Sequence, residues 1–181
     1  TGPGCAAVAA YALGRELGLM RVSQPEKPFV VSMAACAASG VYYLAMASPH
    51  NVAEPGTLTG SIGIIGGKVV TGGVFEKFGA SIDGVSQGKH ADMNSPTRRY
   101  SESERAKVGE QLQAFYDEFV ERVAASRHMT PERVDQLAQG RVWTGRQAKQ
   151  NGLVDALGGL DRAVALVKQK AKITDGEVEL V

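Results

Sequence analysis

Apolar positions recur along this chain with two different periods. After a Gly/Pro turn, Ala9, Leu13, Leu17 and Met20 fall at helical spacing and predict a helix over residues 4–20. KPFVVSM (27–33), entered through Pro28 and carrying the apolar run Phe29, Val30 and Val31, predicts a short buried strand. AASGVYYLAMAS (37–48) predicts a helix stopped by Pro49. HNVAEP and TLTGSIGII predict two further short strands, TGGVFEKFG a short helix with a glycine stop, and ASIDGVS another strand. QGKHADMNSPTRRY (87–100) has no period and reads as an irregular loop.

The longest periodic segment follows. Ser101 and Glu104 form an S-x-x-E capping box, and Val108, Leu112, Phe115, Phe119 and Val123 line one face as far as about Arg127. Thr130 and Pro131 open a second helix as N-cap and first-turn proline, stopping at Gly140. RVW and LVD predict short strands on either side of a helix capped by Thr144 and Gln147 and ended by Gly152. Residues 159–172 predict a last amphipathic helix, and EVELV a terminal strand. Short strands alternating with helices indicate an α/β class with mostly parallel pairing, in one domain over 1–181. The opening TGPG reads as a turn into a helix, so upstream strands are expected to lie outside this stretch.

The uncharged run from Pro28 to Pro49 is long enough for a membrane span, which needs about 20 apolar residues. Its content argues otherwise. Ser32, Ser39, Gly40, Ser48 and several alanines dilute it, and its two halves have strand and helix character. A strand, a turn and a buried helix explain both halves. That turn is where α/β proteins place ligands and nucleophiles. Ser39 sits there. By itself A-S-G is a weak motif and reads as a small residue at a tightly packed helix start.

Lys+Arg and Asp+Glu nearly balance at 20 against 19, with no basic stripe, which argues against a nucleic-acid partner. Cys5 and Cys36 have no metal-ligand spacing; they are expected as free, buried thiols, with a disulfide as the alternative. His50 and His128 have no acid near them in sequence and read as structural or surface residues. Asp83 and Asp92 read as turn residues. The glycines of GIIGG and TGGVF do not form a nucleotide fingerprint. No cofactor is indicated.

Lys27, Pro28, Ser32, Met33, Ala37, Ala38, Ser39, Gly40, Tyr42 and Tyr43 match a K-P-V-V-V-S-M-x-x-x-A-A-S-G-G-Y-Y pattern. Thr57 to Gly63 match T-L-T-G-S-I-G, and GRVWTGRQAKQNGLVDALGGLDRAV matches a further segment downstream. Together they resemble the signal peptide peptidase A (protease IV) family, over nearly the whole chain. The resemblance implies a Clp protease/crotonase-like fold and a serine endopeptidase with a lysine base, acting on apolar peptides such as residual signal peptides. It also implies a membrane-associated homo-oligomer at the outer face of a bacterial inner membrane. On the carry-over Ser39 is the nucleophile, and the backbone N–H groups of Gly40 and Cys5 are the oxyanion donors.

Three positions depart from that pattern. Cys5 stands for the second glycine of an S-P-G-G turn, and Val41 for the second glycine of S-G-G. Ala91 stands where short members carry the lysine. DGVSQGKHADMNS resembles the second unit of long, two-unit members, whose base comes from the first unit. The base is therefore expected from an upstream unit. The alternatives are Lys89, which shares a strand face with position 91 and is a better local candidate than His90, or an inactive unit serving as scaffold or peptide-binding subunit. A crotonase-type acyl-CoA enzyme shares the architecture but leaves S-M-x-x-x-A-A-S-G unexplained.

Overall fold

A computed structural model describes residues 7–23 and 27–173. They form two compact units. One holds the residues up to Gly63 and from Tyr116 onward; the other is Ile64–Phe115.

In the first unit, helix α1 (Ala7–Ser23) precedes strands β1 (Val31–Met33) and β2 (Cys36–Ala38) and helix α2 (Gly40–Ala45). Strands β3 (Asn51–Ala53) and β4 (Leu58–Gly60) follow. Helix α3 (Gly72–Lys77) belongs to the second unit. Helix α4 (Glu102–Arg127) begins there and ends in the first. The rest of the first unit is α5 (Pro131–Leu137), β5 (Val142–Thr144), α6 (Gly145–Asn151), β6 (Ala156–Leu157) and α7 (Leu160–Lys170).

Among the described residues these strands form two three-stranded sheets. One has the order β1-β3-β6, all parallel. The other has the order β2-β4-β5, with β2 and β4 parallel and β5 antiparallel to β4. The α/β class with mostly parallel short strands is as the sequence indicates.

The core of the first unit joins Met33, Tyr42, Ile62, Val123, Val134 and Leu153, each at most 1% exposed. Complete burial of an aliphatic side chain of this size contributes about 1.5–3 kcal/mol, so the contiguous cluster is the main support of this unit. Tyr43 packs edge-on against Phe119, with ring centroids 5.2 Å apart. Arg122 lies over the same tyrosine ring and donates to the Gly14 carbonyl, which ties α1, α2 and the end of α4 together. The second unit has a different character. Glu104 is its single buried residue, while Ile65, Val69, Phe78 and Val85 are largely exposed.

Local signals placed most helices. Thr130 accepts from the Arg133 N–H, Thr144 and Gln147 form the reciprocal capping box, and Gly152 closes α6 in the left-handed region. Ser101 and Glu104 also cap reciprocally, at 2.8 and 3.3 Å. Only Phe119 and Val123 of the expected α4 face reach the core; Phe115 is exposed.

Four expectations are corrected. Residues 36–38 are a strand, and the helix begins at Gly40. Alanine prefers helix, but pairing with Leu58–Gly60 overrides that preference. The strand expected over TLTGSIGII stops at Gly60. ASIDGVS is not a strand: its residues are exposed, and no strand pairs with them among the described residues. The strand placed on LVD (153–155) instead follows it, at Ala156–Leu157 beside β3. Cys36 is a free, half-buried thiol. Cys5 and EVELV lie outside the described residues. No helix is long and apolar enough to cross a membrane, among the described residues.

Candidate active site

The centre of interest is the sharp turn between β2 and α2. Ser39 occupies it with φ 54° and ψ −121°, a conformation L-residues rarely adopt. Strain of this kind costs on the order of 1–3 kcal/mol and persists only where the surroundings over-determine it. A serine on a strained strand-to-helix turn is the geometry that lifts a nucleophilic hydroxyl clear of its sheet. Ser39 is half-buried, and its side chain makes no capping bond to α2. Gly40, buried, and Val41 open the helix, where no preceding turn takes their N–H groups.

The surroundings hold the turn from both sides. The Ser39 N–H donates to the Gly60 carbonyl at 2.9 Å, and the Ser39 carbonyl accepts from the Tyr43 N–H at 2.9 Å. Gly60 has φ 74°, and a Cβ there would lie 2.8 Å from Trp143 Cδ1. Trp143 is fixed by its indole N–H, which donates to the Leu137 carbonyl. Next in the chain, Ser61 also has positive φ, 49°, and donates its N–H to the Arg141 carbonyl. Gly140 in turn donates to the Ile62 carbonyl. Residues 140–143 therefore clamp the segment that holds the Ser39 turn.

Two tyrosines anchor α2 behind the serine. Tyr42 is wholly buried and donates to the Leu153 carbonyl at 2.7 Å. Burial raises its phenol well above the ordinary range, the nearby Arg127 opposing and Asp155 adding to the rise. Tyr43 donates to Glu118 at 2.8 Å; burial first, and this bond second, push its phenol up to about 12. Behind them Arg127 and Asp155 form a two-pronged ion pair at 2.7 and 2.8 Å. Burial works to raise the Asp155 carboxyl, but Arg127 and the Asn51 N–H outweigh it and hold it low.

The sequence-derived candidates for a local base lie in the second unit. Lys89 is exposed, and Ala91 sits in a succession of turns. His90 is half-buried, with Nε2 3.3 Å from Ser103 Oγ. Asp92 is occupied by Arg98, which also makes two 2.7 Å contacts to Glu104; those bonds hold the Glu104 carboxyl far below its usual range. The Lys68 ammonium is also engaged, donating to the Met93 carbonyl and lying over the Tyr100 ring.

In the first unit, His50 is half-buried, with its imidazole lowered by burial and by the charge of Lys170. Its backbone is stitched to Ser48 Oγ. His128 is exposed and ends α4 with φ 54°. Reasoning from spacing missed Thr59, Gly60 and Ser61 as supports of the turn. The one available signal was the T-G-S run itself, and nothing in it announces pairing with residues 37–39.

A family model described as Peptidase family S49 matches residues 21–174. Over 172 residues the chain is 42% identical to "Serine protease SPPA, chloroplastic" of Arabidopsis thaliana, covering 94% of this chain and 25% of that protein. Over 171 residues it is 41% identical to "Protease 4" of Salmonella typhi, covering 94% and 27%. The chain thus spans about a quarter of the length of these relatives. A solved enoyl-CoA hydratase/isomerase family protein from Hyphomonas neptunium aligns over 85% of this chain and 41% of its own, at 21% identity and a TM-score of 0.41.

Proposed function

This chain belongs to peptidase family S49, and on that premise we propose that it is the nucleophile-bearing unit of a serine endopeptidase for apolar, extended peptides, residual signal peptides among them. The observation that carries the proposal is the positive-φ, strained Ser39 between β2 and α2.

In the proposed reaction Ser39 Oγ attacks the scissile carbonyl carbon while a neutral lysine amine takes its proton. The developing oxyanion is held by the backbone N–H groups of Gly40 and Cys5. Collapse expels the new peptide amine, which takes the proton from the lysine, and leaves an acyl-serine. Water, deprotonated by the same lysine, then releases the acid and restores Ser39.

The lysine comes from an upstream unit. In support, position 91 is alanine, and Lys89 is exposed and lacks the burial a lysine base requires. The much greater length of the relatives leaves room for a second unit. Membrane association at an extracytoplasmic face, homo-oligomeric assembly and the Clp/crotonase-like form of the fold are supported by family resemblance. A catalytically silent scaffold is the competing reading, motivated by Cys5 and Ala91.

A fluorophosphonate probe on the full-length protein tests the proposal. Labelling is expected at Ser39 and lost in Ser39→Ala. Absence of labelling across the pH range would overturn the protease reading in favour of the scaffold. Strong labelling of residues 1–181 alone would contradict an upstream lysine.

A further inference from the structure

We infer that Thr59 is a positioning residue for the Ser39 turn, acting through the carbonyl of Ala37; this rests on Ser39 being the nucleophile. Thr59 lies in β4 directly opposite Ala37, and Gly60 opposite Ala38. Two successive residues of β4 thus hold the last strand residues before the turn. Gly60 does so with its carbonyl, which accepts the Ser39 N–H at 2.9 Å. Thr59 does so with its side chain: Oγ1 donates to the Ala37 carbonyl at 2.7 Å.

The Ala37 carbonyl is the nearer and stronger acceptor for this hydroxyl among the described residues. Thr59 is fully buried, and its other polar neighbour is Met33 Sδ at 3.7 Å, a weak acceptor. Valine has the same branched shape and would fill the same space with the same stiffness. What threonine adds is the single bond to Ala37, two residues before the strained serine. A strained turn survives only if its flanks are over-determined, and this bond removes freedom from the flank that enters it.

Thr57 supplies an internal comparison. It is equally buried, and its hydroxyl donates to the Ala34 carbonyl at 2.6 Å, with Met33 O at 3.2 Å. Those carbonyls belong to the end of β1 and the connection after it, farther along the chain from Ser39.

The test uses the full-length protein with a fluorogenic apolar peptide. Thr59→Val is expected to lower kcat about 10- to 100-fold with KM within about twofold, because a small misplacement of the nucleophile is felt in the chemical step. Thr59→Ser, which restores the hydroxyl, should return kcat to within about threefold of the parent. Thr57→Val should lower the melting temperature while leaving kcat within about twofold. An unchanged kcat in folded Thr59→Val, or no rescue by serine, overturns the inference. So does an equal kcat loss in Thr57→Val, which would mark a general packing effect.

Amide hydrogen exchange gives a readout independent of catalysis. The Ser39 amide should exchange faster in Thr59→Val than in the parent or in Thr57→Val, and equal exchange overturns the inference. If Ser39→Ala retains peptidase activity, the nucleophile reading fails, and the exchange result alone decides whether Thr59 holds the turn. If Thr59→Val does not fold, Thr59→Ser carries the test: lost kcat despite the retained hydroxyl would overturn the inference, and parent-like kcat and exchange would uphold it.

Discussion

The backbone N–H of Ser39 is held by the carbonyl of Gly60, 2.9 Å away, and Gly60 is itself wedged beneath Trp143. The serine turn therefore depends on a residue that cannot carry a side chain. An added Cβ at Gly60 would sit 2.8 Å from Trp143 Cδ1 and 3.3 Å from the Arg141 carbonyl, in a backbone region that disfavours L-residues. Gly60→Ala should destabilise the protein by about 1–3 kcal/mol in denaturant unfolding and slow probe labelling of Ser39. Gly56→Ala, with open space around it, is the matched control and should be close to neutral.

The strain at Ser39 has an opposite signature. Glycine tolerates φ 54° without the clash that a Cβ meets, so Ser39→Gly should raise the unfolding free energy by about 1 kcal/mol relative to Ser39→Ala. Both variants should be inert to the probe. Equal stability of the two would show that the turn stores no strain.

Tyr42 and Tyr43 predict alkaline sensitivity. Both phenols are raised in the folded state, by burial above all. An acid whose folded pKa is raised contributes stability that is complete below its unfolded value near pH 10. That stability is lost as pH climbs through the folded value. Phenolate absorbance should therefore lag behind that of free tyrosine and then rise together with loss of near-ultraviolet circular dichroism. Tyr42→Phe leaves the Leu153 carbonyl buried without its donor and should cost about 1–2 kcal/mol.

Arg127 and Asp155 predict the acid limb. The Asp155 carboxyl is lowered in the folded state, so its contribution is complete above the ordinary carboxylate value near pH 4. It disappears as pH falls through the depressed folded value. Arg127→Met leaves the half-buried carboxylate without its two-pronged partner and should reduce stability by about 3 kcal/mol at neutral pH. Its unfolding midpoint should vary less with pH below 4 than the parent's, as followed by urea titration at several pH values.

Much of the fold was legible because several of its signals are local. Thr130-Pro131, the Thr144/Gln147 box and Gly152 act within one helical turn, so spacing was enough to place α5 and α6. Residues 36–38 were misread for the converse reason. Alanine's own preference is helical, and only Leu58–Gly60, some twenty residues on, makes that stretch a strand. ASIDGVS failed in the opposite direction: its composition suits a strand, but no strand among the described residues takes its backbone bonds.

The same division runs through the candidate site. By itself the sequence determined that an uncharged strand–turn–helix carries Ser39. That is a matter of residue identity and near-neighbour pattern. Only the tertiary structure decided that Ser39 has a positive φ, that Gly60 and Thr59 of one neighbouring strand bond to Ser39 and Ala37, and that Trp143 leaves no room above Gly60. Backbone strain and close approach arise from segments far apart in the chain. No spacing rule within either segment encodes them.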